Sequence, residues 1–313
     1  MSLLTVVQDV CAAVGVARPL SVFSALNSNR TMFEMLARAN EVAQSIAYNT
    51  REWNVLKKSA TLVGDGVIVP PATIMTGTEA FSLPADFKRM LLTSQVWRST
   101  LAMQPMVFYP DTDEWLQRRA LNYTTGWGEW TIYGGQMHIW PIMSAPVNTL
   151  SVWKNGVSYA VDAKACDDAY GTASWKVLVA HTSAASGSFA ADRAANPTYW
   201  TSITPVMTPA VTARFSYLDK NCVALTSSGF GDTFTADTDA FRLDERLLKL
   251  GMIWTWKQLK GSPYAEDMGT YQDALAVASG ADSPAPIIVG RLPISAAARV
   301  ALPWPPGWGA TTL

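Results

Sequence analysis

The sequence predicts an α+β fold. It has a four-helix bundle made from both chain ends, an antiparallel β-region between them, an inserted small β-module and an extended C-terminal arm. Three observations carry this expectation. Apolar residues recur at three- and four-residue spacing near the N-terminus and again between about 238 and 280. Between those stretches, short runs of β-branched and aromatic residues alternate with glycine and proline turns. Residues 155–205 are rich in Ala, Ser and Thr, and after Ser283 the chain becomes proline-rich and sparsely charged. The expected units are 1–50 (N-terminal helices), 51–152 (β-region), 153–204 (inserted module), 205–237 (return to the β-region), 238–280 (helical hairpin) and 281–313 (arm).

Leu4, Val7, Cys11 and Val14 form one apolar stripe over Leu3–Val14, which Gly15 and Pro19 close. Thr31 or Asn29 can cap a longer helix to about Tyr48. Its face is Met32, Met35, Leu36, Ala39, Val42, Ala43 and Ile46, and its alanines permit close helix approach. Towards the other end, Leu243, Leu247, Leu250 and Trp254 stand at helical spacing, with Leu248 and Met252 widening the face. Thr238 or Asp239 can cap this helix, with Asp244 and Glu245 early in it, where the macrodipole favours acids. Lys257 and Lys260 fall in its last turn, and Gly261 and Pro263 end it. A second helix over about 264–278 carries Tyr264, Met268, Tyr271 and Leu275, so the two read as an antiparallel hairpin packing with the N-terminal helices.

In the middle, residues 52–63 have strand character and end at Gly64-Asp65-Gly66, and Val67 begins another short strand. A short helix follows Pro110, with Asp111 or Thr112 as cap and Asp113 and Glu114 in its first turn. Residues 130–141 form a hairpin around Gly134-Gly135, and a further strand begins at Leu150. In the tail, Ile287, Ile288, Trp304 and Trp308 are costly to leave in water, which favours an arm that docks over a free coil.

Composition narrows the function. A net charge of -1 and a pI near 6.1 argue against a dedicated nucleic-acid binder. Charged residues are only 16% of the 313, against about 25% in soluble domains, and there are thirteen tryptophans. That balance suggests surface buried against partners. Cys11, Cys166 and Cys222 match no metal spacing, and one would be left over from any disulfide pairing. Free thiols and assembly in a cytoplasm are the simplest reading. The first residues lack the pattern of a signal peptide, and no run reaches the ~20 apolar residues of a membrane span.

No catalytic, cofactor or metal site is expected. The two histidines, His138 and His181, restrict imidazole chemistry, and His138 reads as a structural strand residue. His181 before Thr182 and Ser183 reads as a polar network and not a base–nucleophile pair. Asp237 with Asp239, Asp244 with Glu245, and Asp111, Asp113 and Glu114 all have helix capping as their explanation. No phosphate loop or nucleophile elbow is present. Trp175 and Trp200 could be a sugar-stacking platform or the core of a small module, the core being favoured. Arg118 and Arg119 read as a solvated helix face.

Two stretches resemble a known family. Phe234-Thr-Ala-Asp-Thr-Asp-Ala-Phe-Arg-Leu-Asp, followed by Leu247-Leu-Lys-Leu-Gly-Met-Ile-Trp-Thr-Trp-Lys-Gln-Leu-Lys-Gly and Tyr264-Ala-Glu, resembles the C-terminal helical signature of phage head-to-tail adaptors of the tail-tubular-A type. Phe81-Ser-Leu-Pro-Ala-Asp-Phe-Lys-Arg-Met-Leu resembles a second signature of that family: a strand, a Leu-Pro turn and a return strand. The β-pattern of these adaptors, interrupted after Leu150, resumes near Thr212. Tyr159, Trp175, His181-Thr-Ser and Tyr199-Trp200 resemble a small chitin-binding-type carbohydrate module, with Val161-Asp162 in place of the usual Gly-Asp.

The adaptor resemblance implies a structural virion protein in the phage neck, assembled in the host cytoplasm and not an enzyme. It implies a ring of twelve copies between the portal protein and the tail nozzle, with DNA passing through its channel without sequence-specific binding and no contact with a membrane. The C-terminal arm would reach the portal through Ile287, Ile288, Arg291, Arg299, Trp304 and Trp308. The alternative is a glycan- or receptor-binding tail protein acting through 153–204, with Trp175 and Trp200 as stacking residues.

Overall fold

Helices drawn from both ends of the chain flank a set of β-sheets in the computed structural model, which describes residues 2–26, 29–68, 75–101, 104–227 and 229–282. The fold is α+β, as the two hydrophobic periods in the sequence indicate. The helices are α1 (Leu3–Val14), α2 (Arg30–Ser45), α3 (Thr112–Ala120), α4 (Phe189–Ala195), α5 (Glu245–Leu259) and α6 (Ala265–Asp282). Ser2 caps α1, and Gly15 closes it in the left-handed region at φ 75°, returning its amide to the Cys11 carbonyl. Asn29 caps α2, and its side chain accepts from the Thr31 amide at 3.0 Å. The chain then passes through a wider turn, Ile46–Thr50, where the Ile46 carbonyl accepts from Thr50 Oγ1 (2.6 Å) and Trp53 Nε1 (2.7 Å).

Packing centres on α5, which lies against α1, α2 and α6. Its Leu247, Leu248, Met252, Ile253 and Trp256 are buried with Val7, Val10 and Cys11 of α1 and Met35, Ala39 and Val42 of α2. The α6 helix leans on this core only with Tyr271, Ala274, Leu275 and Ala278, all half-buried. The expected start of the hairpin needs correction. The α5 helix begins at Glu245 with Asp244 as cap, accepting from the Arg246 amide at 2.8 Å, and not at Thr238 or Asp239. Residues Ala240–Phe241 are extended and pair with Val223–Ala224. At the far end, α6 runs past 278 to Asp282.

The longest strand, Thr212–Asp219, organises the β-region. It pairs antiparallel with Lys57–Val63 along one edge, from Lys57 opposite Leu218 to Val63 opposite Thr212. Its other edge takes Phe87–Met90 and Trp97–Arg98. A second sheet orders Ala80–Ser82, Gln136–Trp140, Glu129–Tyr133 and Val107–Phe108. Within it is the expected hairpin, whose turn glycines 134 and 135 have φ of 59° and 75°, the combination a two-residue turn of this hand requires. Leu62, Trp130, Met137, Ile139 and Phe215 form a shared core of the two sheets. The expected return strand after Leu83-Pro84 exists but does not pair with its predecessor. Residues 80–82 join the second sheet and 87–90 the first, so the turn hands the chain from one sheet to the other.

Between these sheets the chain departs and returns through a short ladder in which Val147 faces Thr208 and Asn148 faces Met207. Between those points lies a four-stranded sheet of Ser151–Val152, Lys164–Cys166, Ser174–Val177 and Trp200–Ile203. The strand expected from Leu150 therefore belongs to this sheet, while Thr212–Asp219 builds another. Trp153, Ala165, Val177, Phe189 and Trp200 form a separate core there.

One glycine of the adaptor-like motif has a packing reason. A Cβ on Gly251 would lie 2.4 Å from Val42 Cγ1 and 3.4 Å from Tyr271 Cε2, so α2 approaches α5 over bare backbone. Overpacking costs about 1–3 kcal/mol, more than the ~1 kcal/mol of helix propensity that an alanine would return. Gly251→Val should lower the midpoint of thermal unfolding by several degrees, with Gly251→Ala intermediate. Unchanged midpoints would mean that the helices are not in this contact.

Candidate functional site

Asp237 and Asp239 fasten the loop before α5 and are not helix caps. Asp239 is buried and accepts from the amides of Thr226 (3.0 Å), Thr235 (2.7 Å) and Ala236 (2.8 Å) and from the Thr235 hydroxyl (2.9 Å). Burial alone would raise its pKa, but these donors outweigh it and hold the carboxyl below its ordinary range. Asp237 accepts from the amides of Val22 (2.9 Å) and Phe23 (3.3 Å) and from the Ser21 hydroxyl. The carbonyls of the same two residues take the amides of Leu3 and Leu4, which no helix could satisfy internally. The Asp237 carboxylate and the two carbonyls join the chain ends, while the Asp239 carboxylate closes the 226–239 loop on itself.

The two arginines of α3 face inward, contrary to the solvated face expected for them. Arg118 donates to Glu129 from Nε (3.1 Å) and Nη2 (2.5 Å), and Arg119 Nη2 donates to it at 3.2 Å. Their guanidinium groups also lie over Tyr109 and Tyr123, and over Trp115 and Trp140. Glu129 is fully buried, and its charge is compensated from both sides. These two cations are therefore occupied within the fold.

The histidines hold structural positions as well. His138 stacks on Tyr133 with centroids 3.7 Å apart, and burial lowers its pKa. His181 points Nε2 at Asp192 (3.4 Å) and Nδ1 at the Val179 carbonyl (3.1 Å). Ser183 donates instead to the Lys154 carbonyl at 2.7 Å and accepts from the Val157 amide at 3.0 Å. Its hydroxyl is thus committed to backbone, away from the imidazole. Among the described residues no cluster of His, Cys, Asp or Glu could hold a metal ion, the three cysteines are free and buried, and no helix is long and apolar enough to cross a membrane.

The two candidate stacking residues meet on one ring, that of Phe189. Trp200 is 7% exposed, with Phe189, His181 and Tyr159 at centroid distances of 4.7, 5.2 and 5.5 Å. It is core, as the favoured of the two readings has it. Trp175 is half-buried, and the Arg193 guanidinium lies 3.8 Å over its ring. Arg193 was not anticipated, although its spacing of four from Phe189 along a short helix would have placed the two side chains together.

One open surface among the described residues is apolar. Leu92 (85% exposed) and Phe108 (50%) border a groove of about 380 Å³ floored by Met90, Met106, Trp130 and Ile132. Large apolar side chains gathered in this way are the usual mark of a surface that meets another protein. The portal candidates Ile287, Ile288, Arg291, Arg299, Trp304 and Trp308 lie outside the described residues. No protein-family model matches the chain, and no curated protein matches it.

The packing separates the two tryptophans experimentally. Trp200→Ala should cost about 3–5 kcal/mol, as large-to-small core changes do, and Trp175→Ala less than half as much. Chemical denaturation followed by tryptophan fluorescence measures both. Equal, small losses would show that Trp200 is not core.

Proposed function

We propose that this protein is a structural component of a phage neck, a head-to-tail adaptor that assembles as a ring between the portal and the tail nozzle. The reading rests on one observation: the resemblance of residues 234–266 and 81–91 to the adaptor signatures. It is supported by the packing role of those residues, since Gly251 within the motif is the point where α2, α5 and α6 converge. In this reading α1, α2, α5 and α6 act as a four-helix bundle that bears the ring. The open apolar face around Phe108 meets the nozzle, and the arm engages the portal. Residues 153–204 are an inserted module on that frame. Twelve copies, and a channel that lets DNA pass without sequence-specific contact, follow from the resemblance alone. A net charge of -1 agrees with weak hold on phosphate. The working part is binding surface, and the protein needs no cofactor and performs no catalysis.

Electron microscopy and native mass measurement of the chain, alone and mixed with the portal of the same genome, test this directly. The expected outcome is a ring of twelve that forms on the portal. A chain that ignores the portal and stays monomeric or closes as a trimer would overturn the adaptor reading and turn attention to glycan binding by 153–204.

A further inference from the structure

Two short strands share one edge of Thr212–Asp219 without meeting. Residues 217–219 of the long strand pair with Phe87–Met90 and residues 213–214 with Trp97–Arg98, so Phe215 and Ser216 lie in the interval between them. The 91–96 segment crosses that interval and is tied to it. The Ser216 amide donates to Ser94 Oγ at 3.0 Å, and the Leu91 amide donates to the Ser216 carbonyl at 3.4 Å. The Ser94 amide returns to the Leu91 carbonyl at 2.9 Å, which closes the segment as a turn. A cleft of about 300 Å³ opens at this place, with Leu91 and Ser94 in one wall and Ser216 in the other.

Strand alternation decides which groups the cleft receives. Ala213, Phe215 and Tyr217 turn into the core between the sheets, so Arg214 and Ser216 turn to the opposite face. Register sets Ser59 beside Ser216 and Trp97 beside Arg214. The cleft thus gathers the Trp97 indole (43% exposed), the Arg214 guanidinium, and the side chains of Ser59, Thr93, Gln95 and Ser216. Ser94 adds a hydroxyl whose proton is not used in its bond to the Ser216 amide. Among the described residues no Asp or Glu lines the cleft, and the remaining residues of the chain include no acidic side chain.

These groups match one ligand chemistry. A hydroxyl both donates and accepts, and an amide does each from a different atom, so together they can satisfy a ring of hydroxyls. A guanidinium presents a flat fork that a carboxylate fits with both oxygens. An indole offers a flat apolar face to the C–H side of a sugar ring. We propose that this cleft binds an acidic sugar, a pyranose carrying a carboxylate. Arg214 takes the carboxylate, Trp97 the ring face, and Ser59, Gln95 and Ser216 the hydroxyls. A nucleic-acid backbone is a poorer match, because it draws on several cations and this cleft holds one. The site is separate from the glycan alternative, since Trp175 and Trp200 stand on another sheet. It goes beyond the adaptor reading and does not rest on it.

Saturation-transfer NMR on the full-length protein tests the site, with glucuronate, glucose and inorganic phosphate as probes. Glucuronate should bind about tenfold or more tightly than glucose, the margin of a hydrogen bond to a charged group. Arg214→Gln should remove that margin and leave glucose unchanged, while Trp97→Ala should weaken both sugars. Both side chains are exposed, so an unchanged unfolding midpoint in each variant reports intact folding. A folded Trp175→Ala protein should bind glucuronate as the wild type does. Glucuronate that fails to bind, or that binds Arg214→Gln as tightly as wild type, would overturn the proposal. So would phosphate binding as tightly as glucuronate, which would mark a bare anion site. Loss of glucuronate binding in folded Trp175→Ala would also overturn it and move the sugar to 153–204. The portal experiment bears on none of these outcomes.

Discussion

The Asp219 carboxylate holds the two halves of this structure together. It is completely buried at the end of the longest strand, where a lone charge would be expensive, and it is compensated from both sides. Arg242 reaches it at 2.8 Å from the segment before α5, and Lys58 at 2.9 Å from the edge strand. Arg242 also donates to the carbonyls of Asn221 (2.5 Å) and Val55 (3.1 Å) and lies over Phe230. Lys58 is shared with Asp86, which raises its pKa most, with Asp219 adding to the effect. One buried anion thus fixes the strand, its neighbour and the approach to the hub helix at a single point. The Asp237 and Asp239 loop continues the same logic one step along the chain, binding the first turn of α1 to the segment that leads into α5.

This arrangement explains why the polar residues offer so little chemistry. Asp237 and Asp239, which look like a pair in the sequence, spend their lone pairs on amides and hydroxyls, and His181 and Ser183 each satisfy separate partners. Buried polar groups require such satisfaction, and here satisfaction leaves none of these groups poised for reaction. Among the described residues, one feature that does stand open is the apolar groove beside Leu92 and Phe108, which acts by contact.

Much of the fold was legible because it depends on local rules. The α1 stripe with Gly15, the Asn29 cap, the Asp111 cap and the Gly134-Gly135 hairpin are written in spacing and turn chemistry. What was not legible depended on partners distant in sequence. Asp239 fits a helix cap by position, but Val223–Ala224 captures the following residues as strand, and long-range pairing overrides the local preference. The Leu83-Pro84 turn predicts a reversal but not which sheet receives the second strand. Arg118 and Arg119 look solvated because nothing local reveals a buried Glu129. Of the stacking pair, the core role of Trp200 was foreseeable from the small size of the unit, whereas Arg193 over Trp175 required the helix to be placed.

The claim that the Asp219–Arg242 joint couples the β-region to the helices is tested most directly by a double-mutant cycle on unfolding free energy, using Asp219→Asn, Arg242→Met and the pair. Breaking one partner of a buried ion pair costs about 3–5 kcal/mol because the other charge is left uncompensated. The account expects each single change to fall in that range and the double to cost clearly less than their sum. Single losses below about 0.5 kcal/mol, or strictly additive ones, would contradict it.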